Sequence, residues 1–215
     1  NGFSGTCITQ NSADTVLMRL SFPFIDAVQI RLDVIDAGIQ SATCHAFNYE
    51  EKENFILLST DSVSVQLQKN PWTLYIFRKG RKLFFQTFAV NTSSQKMQIT
   101  TEMHPNEHFY GFGEKFDGLD QKGKKVVMEL SDAYMATDHR AYKSIPFFIS
   151  SNRYGMLVNS AKRVVFHMGD LIDTNHQFEN PAASIEYVIF ANENPLSVIS
   201  QYTDITGKPP IVPKW

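Results

Sequence analysis

Short segments in which apolar and polar residues alternate recur along most of this chain. Val63 to Gln68 reads VSVQLQ, which places apolar side chains on one face of a strand and polar side chains on the other. Trp72 to Phe77 and Lys82 to Phe88 flank a four-residue turn in which Gly80 can take the positive φ of a tight hairpin. The sequence therefore predicts antiparallel strands that are joined by short turns.

Other segments have the same character, and one late segment differs. Further strands are predicted at Val16 to Phe22, Val28 to Ile35, Phe55 to Ser59, Lys96 to Met103, Arg163 to Met168 and Ala183 to Ala191. Only Pro195 to Thr206 has a helical period, with proline at its first position and Gly207 after its end. This order predicts an all-β fold, an antiparallel β-sandwich with one C-terminal helix. We expect the 17 phenylalanines and eight tyrosines to fill its core.

The last residues differ in composition from the rest. Lys208 to Trp215 contains three prolines, which fix φ and disfavour helix, so an extended linker is predicted. We therefore expect a sandwich domain over residues 1–194, followed by a helix and linker over residues 195–215. Another domain is expected to begin after this linker.

Charge and hydropathy exclude two classes of partner. The formal net charge is −2 at pH 7, with no basic stripe that would suit a phosphate backbone, so no nucleic acid partner is predicted. No apolar run approaches the roughly 20 residues that a membrane span needs. We expect a soluble protein without a membrane partner. The sequence does not assign a compartment, although a cytoplasmic location is slightly favoured.

Motifs of catalysis and metal binding are missing from the sequence. The six histidines show no HxH or HExxH spacing, and neither a GxSxG nor a GxxxxGK pattern occurs. Gly111-Phe112-Gly113 is more typical of a bulge or a close backbone approach than of a ligand loop. Motif spacing therefore identifies no active site, no metal and no cofactor, and it leaves the carboxylates Asp132 and Asp138 as the remaining route to hydrolysis.

One polar segment attracts attention as a binding site. Ser131 to Lys143, called the insert below, lies between apolar segments and has no apolar period of its own. Its candidate ligand-binding residues are Asp132, Tyr134, Asp138, His139 and Arg140. Aromatic rings beside charged acceptors suit a sugar, whose C–H face packs on a ring while carboxylates hold its hydroxyls. The same composition would suit a protein contact, and both aspartates would also be stable in solvent.

Four segments in order resemble one enzyme family. HFYGFGEKFDGLDQKGK and YKSIPFFISSNRYGMLVNS, together with NPWTLYIFRKGRKLFF and PLSVISQYTDITGKPPIVPKW, resemble the N-terminal region of glycoside hydrolase family 31. That family contains α-glucosidases and α-xylosidases. The resemblance covers roughly residues 16–215, and AYKSIPFF is most similar to the α-xylosidase-like branch.

The resemblance implies a division of labour. The family's N-terminal domain is a β-sandwich similar to the galactose mutarotase fold, and its catalytic aspartates lie on a downstream (β/α)8 barrel. The resemblance therefore implies part of a retaining α-glycosidase, inactive as a 215-residue fragment, whose partners are its own barrel and an α-linked oligosaccharide or glycoside. It also implies that the insert reaches the active-site rim. Asp132 matches the aspartate that hydrogen-bonds substrate hydroxyls, and Asp138 is a second candidate.

Two other functions fit the sequence. A stand-alone carbohydrate-binding module would use the same insert without a barrel. A mutarotase-like epimerase would need a facing general acid and base, for which Glu186 with His167 or His176 are the candidates.

Overall fold

The computed structural model describes residues 3–8, 15–33, 45–87, 96–132, 134–135 and 141–213. Within these ranges the chain forms sixteen strands and one helix. The strands are β1 (Phe3–Ile8), β2 (Thr15–Phe24), β3 (Ala27–Asp33), β4 (Asn48–Glu51), β5 (Phe55–Ser59), β6 (Val63–Lys69), β7 (Trp72–Arg78), β8 (Arg81–Thr87), β9 (Met97–Glu102), β10 (Phe109–Gly113), β11 (Lys125–Val127), β12 (Ser144–Ser150), β13 (Tyr154–Val158), β14 (Val165–His167), β15 (Asn175–Asn180) and β16 (Ser184–Phe190). The helix is α1 (Pro195–Thr206).

The described strands pair into two sheets. One has seven strands in the order β1-β2-β3-β16-β13-β12-β10, and the other has nine in the order β11-β14-β15-β9-β8-β7-β6-β5-β4. Neighbouring strands in both sheets run antiparallel, and side chains from the two sheets share one large apolar core. The predicted antiparallel β-sandwich is confirmed.

The predicted hairpin is present at β7 and β8. The strands extend to Arg78 and Arg81, so the turn itself consists of Lys79 and Gly80. Both turn residues have positive φ, 48° and 78°, as a two-residue turn matched to the twist of the strands requires.

Several strands were not predicted from the alternation of apolar residues, and β4 and β15 show why. β4 (Asn48–Glu51) is exposed along its whole length at the edge of the nine-stranded sheet, so it has no buried face to produce a pattern. β15 (NHQFEN) is mostly polar, yet it lies between β14 and β9 and buries His176 and Gln177. Polar residues can occupy such a position when hydrogen bonds satisfy them.

The core contains phenylalanine far more than tyrosine. The fully buried aromatic residues are Phe22, Phe84, Phe109, Phe112, Phe148, Phe166, Phe178, Phe190, Tyr154 and Tyr187. Four other tyrosines, at positions 49, 110, 134 and 142, are exposed, so the expectation that tyrosines fill the core is wrong for them. A buried tyrosine hydroxyl needs a partner, and the two buried ones have partners in His176 and Gln86.

A chain of polar groups crosses the core near β13 and β15. The Tyr154 hydroxyl lies 3.1 Å from Nε2 of His176. The nearby carboxylate of Glu107 accepts bonds from the backbone N–H of His104 at 2.9 Å and from the Ser150 hydroxyl. Burial raises the pKa of Glu107 and lowers that of His176 to about 3.

Helix α1 spans the predicted residues and packs on the outer face of the seven-stranded sheet. Its first turn is capped by Asn194, whose Oδ1 accepts the N–H of Leu196 at 3.0 Å. Val198 is buried against this sheet, close to Gly155, where an added Cβ would lie 2.3 Å from Cγ1 of Val198. Among the described residues, no helix has the length and apolarity needed to cross a membrane.

Candidate functional site

The insert connects the two sheets. It follows β11, which belongs to the nine-stranded sheet, and precedes β12, which belongs to the seven-stranded sheet. Its two ends meet, since Leu130 and Ala141 form a bridge and the N–H of Ser131 donates to the carbonyl of Ala141 at 3.2 Å. Ala141 is fully buried. The first residue of the insert and Ala141 near its end therefore lie side by side.

The end of β10 and the two residues after it contact the chain on both sides of the insert. Gly113 has φ 82°, and the N–H of the next residue, Glu114, donates to the carbonyl of Lys143 at 2.9 Å. Nζ of Lys115 lies 3.3 Å from the carbonyl of Val127 and 3.3 Å from the hydroxyl of Ser144. The expected bulge or close approach at Gly111-Phe112-Gly113 is confirmed by a register shift between β10 and β12.

Asp132 is an exposed carboxylate that is held from one side. Its Oδ1 accepts the hydroxyl of Tyr142 at 2.8 Å and the backbone N–H of Tyr134 at 3.2 Å. These two bonds, the Tyr142 bond first, lower the pKa of the carboxyl, so Asp132 is ionised at neutral pH. Oδ2 has no hydrogen-bond partner among the described residues, which leaves an acceptor for a ligand.

Exposed side chains occur at the residues bonded to this carboxylate and next to them in sequence. Tyr134 is 81% exposed and the neighbouring Met135 83% exposed, and Met135 has the positive φ of 55°. Tyr142 is 48% exposed although its hydroxyl is bonded to Asp132. A charged acceptor beside open aromatic faces is an arrangement that can hold a polyhydroxylated ring.

The structure reaches only part of the predicted site. Asp132 and Tyr134 lie together as described, whereas Asp138, His139 and Arg140 fall outside the described residues. Tyr142 also belongs to the aromatic residues of the insert, but the sequence did not pair it with Asp132, to which it makes the main side-chain contact. A separation of ten residues within an irregular segment gives no periodic signal that would have paired the two.

The residues considered for an epimerase do not converge. Glu186 forms an ion pair with Arg31 at 3.6 Å and accepts from Asn159 at 2.6 Å. His176 is enclosed in the core against Tyr154. His167, at the end of β14, bonds Asp170. Among the described residues, no three His, Cys, Asp or Glu side chains are grouped to hold a metal ion.

Comparison with known protein families identifies the family of this chain. Residues 26–166, which include β10 and the insert, match the model of the glycosyl hydrolase 31 N-terminal galactose mutarotase-like domain. The chain belongs to glycoside hydrolase family 31. The match also confirms the galactose mutarotase-like character of the sandwich.

Similar family 31 proteins have several activities in their names. Isomaltosyltransferase of Sporosarcina globispora is 26% identical over 92% of this chain and 20% of its own length. Alpha-glucosidase 2 of Bacillus thermoamyloliquefaciens is 27% identical over 94% of this chain and 28% of its own length. Alpha-xylosidase XylQ of Lactiplantibacillus pentosus is 33% identical over 58% of this chain and 16% of its own length.

Solved structures agree with this assignment. The cycloalternan-forming enzyme from Listeria monocytogenes, in complex with a pentasaccharide substrate, superimposes with a TM-score of 0.88 at 25% identity. The match covers 99% of this chain and 22% of that enzyme. The chain thus spans between a fifth and three tenths of the length of the first relatives it matches, and it corresponds to the N-terminal domain of family 31 glycosidases.

Proposed function

We propose that this chain supports the catalytic barrel of a retaining α-glycosidase and lends the insert to its substrate site. The substrate is an α-linked oligosaccharide or glycoside of glucose or xylose. Residues 1–194 form the supporting sandwich, and residues 195–215 lead into the barrel. Both catalytic aspartates belong to the barrel, so this chain alone does not cleave substrate.

The state of Asp132 carries this proposal. Its Oδ1 accepts bonds from Tyr142 and from the backbone of Tyr134, while Oδ2 has no hydrogen-bond partner among the described residues. A carboxylate held in this way can accept hydrogen bonds from sugar hydroxyls without reorganising, and each such bond contributes about 1.5–3 kcal/mol. A relative in complex with a pentasaccharide supports a sugar as the ligand.

A supporting role suits a carboxylate at this place better than a catalytic role. A retaining glycosidase needs two carboxyl groups about 5 Å apart on rigid elements, one as nucleophile and one as acid/base. Asp132 lies on an irregular segment, and its pKa is lowered, whereas an acid catalyst needs a raised pKa. We therefore assign Asp132 to substrate positioning.

Asp132→Asn in the full-length protein tests this role. We expect kcat/KM to fall roughly tenfold or more, through a raised KM or a lowered kcat, with measurable turnover remaining. Suitable probes are maltose, isomaltose and the p-nitrophenyl α-glucoside and α-xyloside. Tyr142→Phe should act in the same direction and more weakly, because the carboxylate stays in place but loses its fixed orientation.

Other outcomes would reassign the insert. Wild-type kinetics of Asp132→Asn on all four probes would refute its role, and alanine variants of Asp138, His139 and Arg140 would then show whether another predicted residue contacts the substrate. Sugar release by the purified 215-residue chain would contradict the proposed division between sandwich and barrel. Tight sugar binding by that chain, well below millimolar concentration, would instead favour a stand-alone binding module.

A further inference from the structure

The end of β10 and Lys115 contact the chain on both sides of the insert. A Cβ on Gly113 would lie 2.2 Å from the carbonyl oxygen of Lys143 and 3.0 Å from the backbone nitrogen of Ile145. The backbone at Gly113 therefore lies closer to the backbone of Lys143 and Ile145 than a residue with a side chain would permit. The bond from the N–H of Glu114 to the carbonyl of Lys143 fixes this approach.

The side chain of Lys115 joins the two ends through polar contacts. Nζ donates to the carbonyl of Val127, on the segment that enters the insert, and to the hydroxyl of Ser144, on the segment that leaves it. The hydroxyl of Ser144 then donates to the carbonyl of Glu129 at 2.9 Å. One ammonium group and one hydroxyl thus connect three positions of the chain that flank the insert.

Partial burial of the charged amine of Lys115 is unfavourable, so filling space does not explain why a lysine occupies this position. Lys115 is half-buried, and burial lowers the pKa of its amine, although the charge of nearby Asp117 opposes this effect. An ammonium group withdrawn from water needs compensating hydrogen bonds, whereas an apolar side chain of similar length would need none. The gain from lysine is directional, since its donors fix the relative position of Val127 and Ser144.

We propose that Lys115 is a positioning residue that sets the location of Asp132 by fixing both ends of the insert. This inference rests on the proposed role of Asp132 in contacting the substrate. Lys115 itself does not touch the substrate in this arrangement. It acts through the insert, so its effect on catalysis depends on Asp132 being present.

A double-mutant cycle in the full-length protein tests this dependence. We expect Lys115→Met to lower kcat/KM for maltose, isomaltose or the p-nitrophenyl α-glycosides about tenfold, because small displacements of a positioning group are costly. In the Asp132→Asn background the same change should lower kcat/KM less than about twofold. An equal loss in both backgrounds, or no loss in either, would overturn the proposal.

Lys124 offers a matched control. Its Nζ donates to the carbonyl of Asp117 at 2.5 Å, and its side chain is 29% exposed, but none of its described contacts reaches the insert. Lys124→Met should therefore leave kcat/KM unchanged. Lys115→Arg, which keeps the charge and donors, should recover most of the activity lost in Lys115→Met. Ser144→Ala provides a second variant with the same expected loss if Lys115→Met does not fold.

Hydrogen exchange separates this proposal from the function on which it rests. Backbone amides of the insert should exchange faster in Lys115→Met than in Lys124→Met, whatever the substrate is. Equal exchange in the two variants would overturn the role of Lys115. Wild-type kinetics of Asp132→Asn combined with faster exchange in Lys115→Met would refute the proposed function of Asp132 alone.

Discussion

His176 makes the stability of this domain depend on pH in a predictable direction. The imidazole has no exposed surface, and burial lowers its pKa from 6.5 to about 3. Between these values the unfolded chain binds a proton at this position and the folded chain does not. The free energy of unfolding therefore has its full His176 contribution above pH 6.5 and loses it as the pH falls toward about 3.

The size of this effect follows from the shift. Each pH unit below 6.5 costs about 1.4 kcal/mol, so about 3 kcal/mol is lost by about pH 4.5. Glu107, which is also buried, acts in the opposite direction because burial raises its pKa in the folded protein. The contribution of His176 is therefore measured as the difference in the free energy of unfolding between the wild type and His176→Gln, since both proteins retain Glu107.

Urea denaturation, followed by fluorescence of the partly buried Trp72, measures this difference. At about pH 8, His176→Gln should be less stable than the wild type, because the ring contacts of His176 with Phe84, Phe109 and Phe148 are lost. The gap should shrink by about 3 kcal/mol at about pH 4.5. A difference that stays constant or widens on acidification would contradict a lowered pKa of His176 in the folded protein.

Two further predictions concern the attachment of α1. Gly155→Ala places a methyl group 2.3 Å from Cγ1 of Val198, so the Val198 side chain or the helix must shift, and the free energy of unfolding should fall by about 1–3 kcal/mol; an unchanged urea midpoint would contradict this packing. Asn194→Ala removes the side-chain acceptor for the N–H of Leu196 and should cost about 1 kcal/mol, whereas Asn194→Asp should cost much less; equal midpoints for these two variants would exclude the cap.

Local signals explain which elements were predictable from sequence. Pro195 and Gly207 mark the two ends of α1, and Gly80 marks the turn between β7 and β8, because each supplies a backbone conformation that few residues provide. β15 escaped prediction because it buries polar residues whose hydrogen-bond partners lie far away along the chain. His176, for example, bonds Tyr154, which lies 22 residues away along the chain.

The candidate site shows the same limit. The polar insert and the prediction that Asp132 contacts a substrate came from composition and from a family resemblance, whereas the bond that Asp132 accepts from Tyr142 was not predicted. The contact between Lys115 and Ser144 joins residues 29 positions apart through a charged group, and no alternation of apolar residues reports such a contact. Only the three-dimensional pairing of β10 with β12 brings them together.

A crystal structure of the full-length protein with a bound α-linked oligosaccharide would show whether Asp132 contacts the substrate. We expect a carboxylate oxygen of Asp132 within about 3.2 Å of a sugar hydroxyl in the active site. A bound sugar that lies beyond hydrogen-bond distance of every residue of the insert would contradict it.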